Sequence, residues 1–158
     1  MGNIFSGSEI VEIGIQIEKN GRDFYNTAAD KSKEPEAKEL FKFLAGEEEK
    51  HITVFKKILD SVEKYEPAEA YPGEYFSYMN SLASEYVFTQ KDKGKEIAKA
   101  LKTDKEVVDK GIGFEKDSIT FYQGVKKAVP EYDKKTIDQL IVQEQSHLQK
   151  LTEIKSKL

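Results

Sequence analysis

The chain has no cysteine, and that absence removes disulfides, thiolate zinc sites, iron–sulfur clusters and rubredoxin-type iron from its chemistry. Any metal it holds must be bound by oxygen and imidazole. It also lacks a long apolar run, so it offers neither a membrane span nor the core of a secretion signal. No basic patch stands out: the net charge of −4 comes from interleaved signs, which argues against nucleic acid as a partner. A soluble, cytoplasmic protein is expected, with no membrane association. Histidine is scarce as well, with two in 158 residues, so where the two fall is informative. What the sequence has in quantity is charge, 34% of residues against 38% hydrophobic, over about the length of one domain.

Hydrophobic periodicity and turn signals predict an all-α protein with four long helices. The first spans about Ser8 to Asp30, with Ser6 and Glu9 able to form a capping box, and Pro35 suits the first turn of the second, which reaches about Val62. The third opens at Thr103, with Glu106 three places on as another capping box, and ends before Pro130. The fourth runs from about Asp133 to the C-terminus. At 1.5 Å rise per residue each would be about 37 Å long, the dimensions of a four-helix bundle. One domain over 1–158 is expected, built of helical hairpins at about 8–62 and 103–158.

The connection at 63–102 is too long for a turn. It contains Pro67, Pro72 and five of the eight tyrosines, Tyr65, Tyr71, Tyr75, Tyr78 and Tyr86. One or two shorter helices are expected between Gly73 and Lys102. A connection of this length can cross the whole bundle and leave the second and third helices parallel. Its aromatics are expected to pack on the bundle or at a dimer interface.

The sequence repeats itself. GIQIEKNGRDFY at 14–25 aligns with GIGFEKDSITFY at 111–122 with six identities in twelve, matching Glu18 to Glu115 and Tyr25 to Tyr122. Glu48 lies 30 residues after Glu18, and Glu144 lies 29 after Glu115. Each histidine, His51 and His147, follows one of these later glutamates by three positions. Each half is therefore a hairpin with one lone glutamate and one Glu-x-x-His.

Helix positions three apart share a face, so glutamate and histidine at that spacing can converge on one ion. Orientation strengthens the inference. Leu140, Glu144, His147, Leu151 and Ile154 follow one another at steps of three and four, as do Leu44, Glu48, His51, Phe55 and Ile58. Glu18 shares a stripe with Gly14, Gly21 and Tyr25, and Glu115 with Gly111, Ser118 and Tyr122. A lone histidine on an apolar stripe is usually a satisfied core residue. Six polar residues in matched registers on four helices are a different matter, since burying four carboxylates uncompensated costs several kcal/mol each. Two divalent cations would balance them, with one imidazole for each ion. Oxygen-rich ligation of this kind favours two iron ions; manganese also fits, and zinc would occupy the site without redox chemistry. Tyr25 and Tyr122, two turns from Glu18 and Glu115, are placed to donate hydrogen bonds to the ligands, to carry a radical or only to fill the core.

With Glu18, Glu48-x-x-His51, Glu115 and Glu144-x-x-His147 in that order, nearly the whole chain resembles the di-iron domain of the rubrerythrin family within the ferritin-like superfamily. The resemblance implies a ferritin-like bundle with a long crossover between helices two and three. It implies Glu18 and Glu115 as terminal or bridging carboxylates, Glu48 and Glu144 as bridging ones, and His51 and His147 as one imidazole per iron. It further implies reduction of hydrogen peroxide to water, with the centre cycling between diferrous and diferric states. Two departures stand out. Rubrerythrins carry a further glutamate one turn after the third-helix ligand, where this chain has Ser118. The remaining six-ligand set looks more like the symmetric centre of bacterioferritin. The lack of cysteine means that electrons must come from an external donor such as a rubredoxin or a reductase.

A peroxidase that also meets dioxygen, acting as a homodimer, is the reading these residues favour. Ferroxidase activity with iron storage or handling is a second, which the absence of a fifth helix argues against in its cage form. A metal-free bundle serving as an interaction module is a third.

Overall fold

The computed structural model describes residues 7–63 and 73–158, so the Ser6 half of the first expected capping box, with Tyr65, Pro67, Tyr71 and Pro72, lies outside the described residues. Six α-helices follow in order: α1 (Gly7–Lys31), α2 (Pro35–Glu63), α3 (Gly73–Glu85), α4 (Lys93–Ala100), α5 (Asp104–Val125) and α6 (Glu131–Lys155). Short 3-10 turns at Val87–Thr89 and Lys126–Ala128 complete the helical content, and there is no strand among the described residues.

The four long helices form the bundle. Pro35 is the first residue of α2, where a missing amide hydrogen costs nothing. Thr103 caps α5 by accepting from the Glu106 amide at 3.1 Å. The returning half of that box differs from expectation: the Glu106 carboxylate accepts from the Lys102 amide at 2.8 Å, one residue before the cap. Pro130 precedes α6, which begins two residues earlier than its apolar stripe suggests because Glu131 and Asp133 suit the positive end of a helix.

The direction of the helices follows from which residues meet. Tyr25 reaches Glu115 while Tyr122 reaches Glu18, so α1 and α5 run antiparallel. A three-residue loop reverses the chain between α1 and α2, as the Tyr25–Phe41 ring contact confirms, and α2 therefore runs parallel to α5. The crossover was predicted to have this effect. Buried Phe24, Phe41, Phe55, Phe121, Ile137 and Leu151 form the apolar layers above and below the bundle centre.

The crossover is fastened to the first helix. Asn20 donates to the carbonyls of Phe88 at 2.6 Å and Gln90 at 2.5 Å, and its side-chain oxygen accepts from the Gly94 amide at 3.0 Å. Lys31 reaches the carbonyls of Ala98, Lys99 and Leu101 at the end of α4, satisfying groups the helix itself leaves open. Tyr75 is buried and donates to the Gly124 carbonyl at 2.9 Å, as expected for an aromatic packed on the bundle, whereas Tyr78 is half exposed. No helix among the described residues is long and apolar enough to cross a membrane.

Candidate metal centre

Glu18 comes from α1, Glu48 and His51 from adjacent turns of α2, Glu115 from α5, and Glu144 and His147 from adjacent turns of α6. The apolar residues above and below them on each stripe draw those faces inward, and the polar residues follow because helical spacing allows no alternative. All four carboxylates are 0% exposed, with His51 at 1% and His147 at 2%. Charged groups are almost never this deeply buried without a partner.

The six residues form two overlapping groups. Glu18, Glu48, His51 and Glu144 offer ligand atoms within 4.8 Å of one another, and so do Glu48, Glu115, Glu144 and His147. Glu48 and Glu144 belong to both. Each group adds one further glutamate and one histidine, and the two imidazoles lie nearly parallel at 16° with centroids 5.7 Å apart. His51 Nδ1 is 2.8 Å from Glu144 Oε1 and 3.4 Å from Glu18 Oε2. His147 Nδ1 is 3.4 Å from Glu48 Oε1 and 3.7 Å from Glu115 Oε1.

Short distances are not bonds here. Both oxygens of Glu48 and of Glu144, Glu18 Oε2, Glu115 Oε2 and the Nδ1 atoms of both histidines are buried without a hydrogen-bond partner. So many orphaned buried acceptors would be severely destabilising unless protons or cations compensate them. Without a cation, protons do so: burial first, then the charge of Glu144, pushes Glu48 well above its usual range. Burial and then Glu115 do the same to Glu144. Burial alone would lower His51, but the charge of Glu18 and contact with Glu144 outweigh it, and its pKa is pushed up to about 11. For Glu18, burial pulls upward, yet Glu48, His51 and Tyr122 together hold it below its ordinary value. The donor set, oxygen with two imidazole nitrogens in a charge-hungry cavity, fits divalent cations.

The outer partners are reciprocal. Tyr25 donates to Glu115 Oε1 at 2.8 Å and Tyr122 to Glu18 Oε1 at 2.5 Å, each reaching from its own hairpin to the other. Burial, then the neighbouring carboxylates, raises both phenols well above their ordinary pKa, so they remain donors. At Glu18 the bond from Tyr122 takes Oε1 and leaves Oε2 toward His51. His51 Nε2 lies 2.6 Å from Gln143 Oε1, an arrangement that keeps a proton on Nε2 and points Nδ1 toward the carboxylates, where its lone pair would be free for a cation once the second proton leaves. Gln143 was not anticipated from sequence, although its place beside Glu144 in the second motif was visible. Ser118 is buried, but its hydroxyl donates to the Phe114 carbonyl of its own helix at 2.9 Å.

The family model described as Rubrerythrin matches residues 9–155. Among solved structures, the chain is similar to a ferritin-like diiron-carboxylate protein from Thermotoga maritima, with 29% identity and a TM-score of 0.71 over 99% of this chain and 98% of that one. No curated protein matches it.

Proposed function

The chain belongs to the rubrerythrin family, and on that premise we propose that it is a di-iron oxidoreductase that reduces hydrogen peroxide with electrons supplied from outside these 158 residues. The observation that carries the reading is the set of buried, unpartnered acceptors arranged as two groups sharing Glu48 and Glu144. Glu48 and Glu144, common to both groups, would help to hold both ions. Glu18 with His51 would complete one position and Glu115 with His147 the other. The pair of ferrous ions would supply two electrons to the O–O bond, which with two protons gives two molecules of water.

The chain's own residues set the conditions for that chemistry. Four buried carboxylates offset the charge of two divalent ions and favour their oxidation to the more highly charged state. Tyr25 and Tyr122 hold Glu115 and Glu18 in one orientation each. Gln143 fixes the tautomer of His51. Phe41, Phe55 and Leu151 keep the space around the centre apolar, which limits stray water.

The engagement of Ser118 with its own backbone leaves a symmetric set of six ligands, and this favours ferroxidase activity as the second reading. Anaerobic titration of the metal-free protein with ferrous iron, followed by separate additions of peroxide and dioxygen, tests both. Two irons per chain and faster oxidation by peroxide are expected. Faster oxidation by dioxygen with continued iron uptake would establish the ferroxidase, and no stoichiometric binding would overturn the metal reading. Elution as a dimer in size-exclusion chromatography is expected; a cage of many subunits would favour storage.

A further inference from the structure

A pocket of about 120 Å³ is bordered by α1, α5 and the crossover, with Tyr86 and Ser118 among its lining residues. Its walls are the apolar side chains Ile17, Phe88 and Phe114. Ile17 immediately precedes Glu18, and Phe114 immediately precedes Glu115, so the inner wall is formed by the chain neighbours of two proposed ligands. The mouth carries the carboxylates of Glu85 and Asp117 and the ammonium of Lys110. Asp117 is half-buried there.

The Phe114 ring lines this pocket and reaches toward the centre. A Cβ on Gly21 would lie 2.5 Å from Phe114 Cζ and 3.4 Å from Glu48 Oε2, so the ring edge and the shared carboxylate meet over the space that glycine leaves. On its other side the ring packs against Phe88 with centroids 4.5 Å apart, and against Tyr25 at 6.1 Å. One phenyl group thus spans the distance from the crossover to the tyrosine that holds Glu115. An apolar cavity of about 150 Å³ is known to admit xenon or benzene, and this pocket, smaller and open on its charged side, has room for a molecule of two heavy atoms. Two carboxylates against one ammonium at the mouth disfavour anions, and apolar walls disfavour hydrated cations.

We propose that this pocket is the antechamber through which a small neutral oxidant, two heavy atoms in size like peroxide or dioxygen, reaches the metal centre, with the Phe114 ring as the movable wall between them. This rests on the di-iron reading above and adds the route. Gly113 lines the mouth, and nothing lies within 4 Å of where its Cβ would be, so Gly113→Trp can plug the pocket without disturbing α5.

Three measurements on the full chain test the route: xenon binding to the metal-free protein by crystallography under pressure, ferrous stoichiometry, and the stopped-flow rate of oxidation by peroxide. Xenon is expected beside Phe114 in the unmodified protein and absent in Gly113→Trp. That variant should load the same iron and oxidise about tenfold more slowly, as expected when access controls rate. Phe114→Ala, which removes the wall, should oxidise faster. Unchanged oxidation in a fully loaded Gly113→Trp, or no xenon in the unmodified pocket, would overturn the route alone. Failure of the unmodified chain to bind iron would overturn the function on which the route rests.

Discussion

One turn beyond the lone glutamate of the first hairpin stands Gly21, and in register with it in the second stands Ser118. The first receives the Phe114 ring from across the bundle. The second keeps its hydroxyl on its own helix and borders the crossover pocket. The same divergence continues outward. Phe55 packs on Gly14, whereas the matching Leu151 shares the space over Gly111 with Tyr25. His51 is held by Gln143, while the residue in register with Gln143 is Glu47, which pairs with Lys50 at 3.2 Å. Yet the four glutamates, two histidines and two tyrosines repeat faithfully. Binding of two ions would require a two-fold pattern of the inner layer; the packing around it, which has no such requirement, has drifted apart.

Four experiments would break or sharpen this contrast. The largest effect belongs to the shared carboxylates. Glu48→Gln and Glu144→Gln should each abolish binding of two ions, whereas Glu18→Gln or Glu115→Gln should weaken one position, as cobalt titration would resolve. If the halves were functionally unequal at the centre, Glu48 and Glu144 would differ. Glu144→Leu should also raise the stability of the metal-free protein by about 1–2 kcal/mol in urea unfolding, since a buried carboxyl group without hydrogen-bond partners is removed.

Acidity comes next. Glu48, Glu144 and His51 all bind protons more tightly folded than unfolded, so their stabilising contribution is complete at low pH and is lost as pH rises. For His51 the loss extends from about 6.5 to about 11. Glu18, held below its ordinary value, acts in the opposite sense and loses its contribution as pH falls. Glu18 acts only in the acid range, below the ordinary carboxylate value, so His51 governs the neutral window and the melting temperature of the metal-free protein should fall between about pH 6 and about pH 9. With divalent metal present the slope should reverse, because ions and protons compete for the same atoms.

A smaller, one-sided effect is expected at Gln143. Gln143→Leu should weaken one of the two ions by about 10–100-fold, the usual cost of losing a ligand's outer partner, and Glu47→Gln should leave both unchanged. A two-step binding isotherm would show the separation. The last pair of substitutions sets Gly21 against Ser118, where the smallest effect lies. Gly21→Ala forces Phe114 aside and should cost about 1–3 kcal/mol, while Ser118→Ala should stay within about 0.5 kcal/mol by thermal unfolding.

Much of the centre was legible beforehand because helical period and chelate spacing are properties of a linear pattern. Glu144 and His147 could only face inward once Leu140 and Leu151 did, and the repeat supplied the second half. Most helix ends were found to within about two residues, although α5 gives way to a 3-10 turn at Lys126 and α6 ends at Lys155 short of the C-terminus, and the crossover was correctly read as containing short helices. What the pattern left hidden depends on partners distant in sequence. Gln143 looks like any polar residue beside a buried stripe until His51, 92 positions away, is brought against it. Asn20 and Lys31 read as solvated helix positions, though both hold the crossover. Phe114 reads as ordinary core, and only the neighbouring Gly21 explains how its ring comes so near Glu48.

Gly94 packs so closely on α1 that a Cβ there would overlap the Asn20 carbonyl, and Asn20 makes three hydrogen bonds to the crossover from one side chain. Contacts of this kind cannot loosen in stages: a shift that lengthens one bond lengthens the others, and no side chain at Gly94 remains to cushion a partly lifted helix. Detachment of α4 and the Phe88 turn is therefore cooperative, a local opening with its own free energy below that of global unfolding. Amide hydrogens from Phe88 to Ala98 should then exchange with solvent as a single unit, on a clock separate from that of the four helices beneath them.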